Sequence, residues 1–277
     1  MSILTARCPA SHCALLVIAL LVAPCVTAGA AAADARTVRV AFVGEDDGDA
    51  LRGVRQGLDE ANAQGRFLGW QYELVTVNDA AGAHAAAPAV VVAAVPADAL
   101  RTLAAALPDT AVLNVGNDDD SVRMQCIPNL LHTLPSAAMR ADAEAQWREA
   151  HPDSRATARA WHATFEKYAA AQLNRRYQES QGQPMSDRAW AGWAAVKLVA
   201  NGIVTANTAA PAQVLGHIRG DIAFDGQKGA DMSFRETGQL RQPLLLVESD
   251  AIVGEAPVRG VVDSGNLDSL GRATCPR

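Results

Sequence analysis

The sequence predicts an α/β fold, with a parallel-sheet lobe followed by a shorter, helix-rich second part. Three observations carry this. Between residues 37 and 115, β-rich runs alternate with segments whose apolar residues recur at helical spacing. One run, Ala89 to Val95, is apolar throughout, as in a strand buried on both faces of a parallel sheet. Past residue 140 the pattern shifts to long amphipathic helices with few strands.

The chain opens with a single positive charge, Arg7, then the unbroken apolar run Ala14 to Ala23, then small residues from Val26 to Ala33. Charge, short apolar run and small-residue site are the parts of a secretory signal peptide. The run falls short of the roughly 20 residues that span a bilayer. Cleavage is expected between Ala28 and Ala33. The chain carries a net charge of −6, and the signal holds only Arg7 of its charged residues. A mildly acidic exported protein offers nothing to nucleic acid or to an anionic membrane surface.

Thr37–Val43 reads as the first strand and Gly44–Asp49 as a loop. Leu51, Val54, Leu58 and Ala61 then mark a helix over 49–64, with Asp49 placed to cap it. Trp70–Val77 alternates as a second strand, Ala80–Pro88 is a small-residue connector, and Ala89–Val95 is the third strand. Pro96 opens a helix whose core face holds Leu100, Leu103 and Leu107. Ala111–Val115 and Leu130–Thr133 are further strands, and Ser136 caps a helix running to Ala150. A long helix is expected over 154–180, with Trp161, Phe165, Tyr168, Leu173 and Tyr177 near one side. Ser186 caps the next, carrying Trp190 and Trp193, and Ala210–Arg219 is a short helix. Residues 222–226 and 230–234 read as a hairpin, and Leu244–Glu248 as a buried strand.

Hydrolase, zincin, P-loop and dinucleotide signatures are missing from the sequence. The histidines after the signal, at 84, 132, 151, 162 and 217, show no ligand spacing and no neighbouring nucleophile. No enzyme activity, cofactor or metal is therefore expected. Two acidic clusters, Glu45–Asp49 and Asn117–Asp120, follow strand ends, where open parallel sheets place their ligand crevice. Neither matches an EF-hand loop, so capping and solvated loop charge account for them as well as a hard cation would. The aromatic stripes have the spacing of helix-helix core. Once the signal is gone, Cys126 and Cys275 are the remaining cysteines. They form a single bridge, worth about 4–5 kcal/mol in the loop-entropy model, or stay as two free thiols.

Val112–Ser136, running VLNVGNDDDSVRMQCIPNLLHTLPS, resembles the fourth strand, loop and hinge approach of type I periplasmic solute-binding proteins of the branched-chain amino-acid type, which serve ABC transporters. Phe165–Phe234 resembles that family's C-terminal part, with Gly182-Gln-Pro184, the Ala-Trp-Ala-Gly-Trp helix and the Phe224-Asp-Gly-Gln-Lys-Gly229 hairpin. A subfamily associated with pyrroloquinoline-quinone-dependent alcohol dehydrogenase systems is similar over Cys126-x-Pro-Asn-Leu-Leu131, Pro184-Met-Ser-Asp-Arg188, Leu240–Leu246 and Asn266–Gly271.

The resemblance implies a Rossmann-like N-terminal lobe over 34–140 after a signal at 1–33, and a reduced C-terminal part over 141–277. Trp147–Ser154 leads almost directly into the C-terminal helices, so the central part of the second lobe is missing. The family's serine-rich carboxylate-binding turn is replaced by Pro96-Ala97-Asp98, which disfavours an amino-acid ligand. The implied function is periplasmic capture of a small-molecule solute for an ABC permease, linked to a quinoprotein dehydrogenase system. Glu45, Asp98, Asn117, Asp118 and His132 are the candidate ligand-binding residues. The alternative is a periplasmic accessory protein that has lost ligand capture.

Overall fold

The computed structural model describes residues 36–276 apart from Asp221, Ala223 and Ser264. The expected signal peptide lies outside these residues. These described residues form one compact unit.

The first half follows the expected alternation: β1 (Arg36–Val43), α1 (Asp49–Leu68), β2 (Trp70–Val77), α2 (Ala80–Ala86), β3 (Val90–Ala93), α3 (Ala97–Ala106), β4 (Ala111–Asn114), α4 (Asp120–Arg123), β5 (Leu130–His132) and α5 (Ala137–Ala150). The strands form one parallel sheet of order β2-β1-β3-β4-β5. Side chains alternate across it. Val40, Phe42, Val90, Val92 and Leu113 face a core with α1 and the C-terminal helices. Ala41, Val43, Val91, Ala93 and Val112 face Leu100 and Leu103 of α3. Leu51, Val54 and Leu58 of α1 are buried, each contributing roughly 1.5–3 kcal/mol by leaving water.

Two early expectations need correction. The residue at the N-cap of α1 is Gly48, whose conformation is extended, and Asp49 is the first helical residue. The connector at 80–86 is the helix α2, capped by Asp79, whose side chain accepts from the Gly82 N–H at 2.8 Å. An N-cap oxygen suffices to start a helix in an alanine-rich segment.

The second half runs β6 (Thr157–Arg159), α6 (Ala170–Gln181), α7 (Asp187–Ala206), α8 (Pro211–Arg219), β7 (Leu244–Glu248) and β8 (Ala251–Ala256). The helix expected over 154–180 is shorter at its start. Residues 157–159 form a strand, and the helix begins only at Ala170, after Tyr168 and Ala169 take left-handed backbone angles. Trp161 and Phe165 are buried from a loop, held by Asn174, whose amide donates to the carbonyls of His162 and Phe165. Trp190 and Trp193 are core as expected, whereas Tyr168 is half exposed. The hairpin at 222–234 is a single antiparallel bridge, Phe224 to Met232.

Helix α7 packs on α1 through glycines. A Cβ on Gly53 would lie 1.8 Å from the Ala189 carbonyl, and one on Gly192 would lie 2.3 Å from that of Ala50. The two backbones therefore meet with no side chain between them. Strands β6-β7-β8 form a separate antiparallel sheet. Helix α5 covers its β6 side: Glu144 accepts from the Ala158 N–H at 3.0 Å, and Arg140 donates to the Ala158 carbonyl at 2.9 Å. The C-terminal tail returns to the first sheet, where Cys126 and Cys275 form a disulfide with Cα atoms 6.1 Å apart. Buried Arg235 fixes the tail's approach by donating to Asp268 and to the carbonyls of Leu267 and Leu270.

Candidate functional site

Strand order reverses between β1 and β3, so the loops after these strands part there and leave a crevice. The loop after β4 closes against it. A Cβ on Gly116 would lie 2.7 Å from Ala94 Cα, so only glycine allows this approach. Phe42 forms the floor, its ring within 2.9 Å of where a Gly44 Cβ would stand. The resulting cleft of about 580 Å³ is walled by Phe42, Glu45, Asp49, Arg52, Asn117 and Arg188. It continues into a space of about 490 Å³ toward β6, where Asp118, Arg140, Arg159 and Asp187 stand.

Two hydrogen-bonded clusters set the walls. At the start of α7, Ser186 accepts from the Ala189 N–H and donates at 2.7 Å to Asp49 Oδ2. Asp49 Oδ1 accepts from Arg52 at 3.1 Å and Gln183 at 3.2 Å. Burial pushes the Asp49 carboxyl up, but these hydrogen bonds and the Arg52 charge outweigh it and hold the group below the ordinary aspartate value. One residue on, Asp187 accepts from Arg140 at 2.7 Å and from the Trp161 N–H at 2.9 Å. Arg188 has no hydrogen-bond or ion-pair partner among the described residues and lines both spaces.

The β4 loop is fixed by buried Asn114. Its Oδ1 accepts from the N–H groups of Gly116 and Asn117, at 3.2 and 2.9 Å. Its Nδ2 donates to the Asn117 carbonyl at 2.7 Å and to His132 Nδ1 at 2.9 Å. An amide nitrogen only donates, so His132 Nδ1 accepts, and the imidazole is neutral with its proton on Nε2. Burial, then the Arg123 charge, keeps the His132 pKa well below the usual histidine value. Arg123, also buried, donates to the carbonyls of Asn117, Asp119 and Leu134. Burial lowers its guanidinium to about 10, so it stays charged at neutral pH.

Of the five residues singled out from sequence, Glu45 and Asn117 line the cleft and Asp118 its continuation. Asp98 sits exposed in the first turn of α3, paired with Arg101. His132 lies buried behind the β4 loop, where it braces Asn114. From sequence Asp49 reads as a helix cap and part of the acidic cluster, whereas Arg52, Arg188 and Arg159 were not foreseen. The Ser186 cap was the available signal, since it places Arg188 in the first turn of a helix aimed at the strand ends.

Among solved structures, an isoleucine-bound branched-chain amino-acid transporter substrate-binding protein from Streptococcus pneumoniae aligns at TM-score 0.63 and 12% identity, covering 79% of this chain and 99% of that one. A periplasmic binding protein from Burkholderia mallei aligns at 0.66 and 11%, covering 86% and 97%. The fold is that of type I periplasmic binding proteins. An ABC transporter substrate-binding protein from Desulfitobacterium hafniense, in complex with leucine, shares it at TM-score 0.66 and 12% identity, covering 78% of this chain and 99% of that one. No protein-family model matches the sequence, and no curated protein matches it. Within this periplasmic-binding-protein fold, the cleft described above lies at the strand ends of the parallel sheet. No helix among the described residues is long and apolar enough to cross a membrane.

Proposed function

We propose that this protein is the periplasmic solute-binding component of an ABC transport system, exported by its N-terminal signal. It captures a small solute in the cleft at the ends of β1, β3 and β4 and presents it to a membrane permease. The cleft carries this reading: it sits at the sheet's topological switch point, and Arg188 stands in it with no partner among the described residues. Two solved neighbours of this fold, one bound to isoleucine and one to leucine, lend support. The role is binding and release, with no bond-making chemistry.

The ligand differs from an amino acid in this reading. Pro96 offers no N–H, and the N–H groups of Gly116 and Asn117 are spent on Asn114, so these three positions give an α-carboxylate no backbone donor. Glu45 and Asn117 would instead accept hydrogen bonds from hydroxyl groups of the solute. This agrees with the sequence resemblance to quinoprotein alcohol-oxidation systems, whose alcohols, aldehydes or quinone cofactor are the candidate solutes and whose dehydrogenase is a candidate partner.

Titration calorimetry of the purified protein against short alcohols, aldehydes, pyrroloquinoline quinone, di- and trivalent cations and leucine tests the proposal. One non-amino-acid probe is expected to bind with a single site, and Arg188→Gln to weaken it at least tenfold, about 1.4 kcal/mol. Silence across the panel from folded protein overturns the reading, and tight leucine binding overturns the ligand assignment.

A further inference from the structure

A second cavity adjoins the continuation of the cleft along β6, the two sharing Thr157, Arg159, Ser186 and Asp187. It measures about 550 Å³ and opens between the β6 segment, the loop before α7 and the β7–β8 turn. Its floor is apolar: Trp161 and Met185 are buried there and Val247 lies beside them. Residues 155–159 alternate exposed and buried, so Arg155, Thr157 and Arg159 share one face and line this cavity.

The charges in the cavity are unevenly satisfied. Asp187 is held by Arg140 and the Trp161 N–H. Glu248 accepts from Ser154 Oγ at 2.9 Å and the Arg155 N–H at 2.7 Å, hydrogen bonds that hold its carboxyl below the ordinary glutamate value. Asp250 accepts from His162 Nε2 at 3.1 Å, while Thr164 Oγ1 lies 2.8 Å from His162 Nδ1. Each acid therefore has a partner. The guanidiniums of Arg155 and Arg159 make no hydrogen bond or ion pair among the described residues, although the Arg155 charge also favours the ionised Glu248, which leaves two planar forks of donors over an apolar floor.

We propose that this cavity is a second binding site, adjoining the continuation of the strand-end cleft at Thr157 and Arg159, for a small dicarboxylate with an apolar spacer. Four residues of extended chain separate the two arginines by about 13 Å. At that spacing the pair suits two carboxylates held several ångströms apart better than one. The spacer covers Trp161 and Met185, while Thr157 and Thr164 supply hydroxyls at the rim. The proposal stands whether or not the cleft takes a solute.

Calorimetry of the purified protein with linear dicarboxylates of four to ten carbons, each compared with the monocarboxylate of equal length, decides the matter. At least one dicarboxylate is expected to bind ten times or more tightly than its monocarboxylate. Arg155→Gln, at a residue that lines this cavity and not the cleft, is expected to remove that preference, and Arg188→Gln to leave it intact. If no dicarboxylate outbinds its monocarboxylate, or if Arg188→Gln removes the preference and Arg155→Gln does not, the proposal fails. A cleft that binds nothing leaves this result unaffected.

Discussion

Single buried polar side chains set much of this molecule's geometry. Asn129 is the clearest: its Nδ2 donates to the carbonyls of Ala104, Leu107 and Thr110, closing the turn between α3 and β4. Asn129→Leu removes all three of these bonds from the interior, leaving the Leu107 carbonyl with the Thr110 N–H. It is expected to lower the free energy of unfolding by at least about 2 kcal/mol in urea titration. His132 yields a pH prediction. The unfolded chain takes up a proton near pH 6.5, whereas the folded imidazole resists it to well below that value. Its contribution is complete above about pH 6.5 and is lost as pH falls, by up to about 1.4 kcal/mol per pH unit. The urea midpoint should drop along that slope, and the His132 ring signals in NMR should stay neutral well below pH 6.5. The sequence made His132 visible as a candidate but not its role, because a histidine that braces a loop and one that meets a ligand look alike until burial is known.

At the scale of elements, contact geometry decides where a methyl group helps or harms. Gly53 faces the Ala189 carbonyl across the α1–α7 crossing, so Gly53→Ala must push the helices apart, at a cost of about 1–3 kcal/mol or more. Gly216 in α8 has open space around it, and Gly216→Ala should stabilise by about 0.5–1 kcal/mol. Opposite shifts in thermal midpoint check both. The strands of the parallel sheet were legible because their apolar runs are bounded by loops and caps. The 154–180 segment was not, since Trp161, Phe165 and Tyr168 fall at helical spacing while Tyr168 and Ala169 adopt left-handed angles that no spacing rule reveals. Strand β8 escaped notice for another reason: only Ala256 among its residues is buried, and Gly254 interrupts its pattern where it passes under Trp147.

For the molecule as a whole, the cleft draws its walls from residues as distant as Glu45, Asn117, Arg159 and Arg188. Its first wall could be read from the strand ends, but its second needed the three-dimensional return of β6 and α7. The disulfide acts at this scale too. It joins positions 149 residues apart, and its reduction should cost about 2–5 kcal/mol of unfolding free energy, measured with and without a thiol reductant. The covering of β6 by α5 also reaches beyond the single molecule. An uncovered strand at the rim of a sheet is a template for another chain, and repeated head-to-tail pairing at such rims builds fibrils. Glu144 and Arg140 occupy the Ala158 groups that a neighbouring strand would need, so a sheet of only three strands can stay monodisperse at high concentration. Glu144→Ala should leave monomer stability nearly unchanged yet raise the rate at which concentrated protein scatters light or binds thioflavin, and unchanged rates would show that α5 shields the strand by bulk alone.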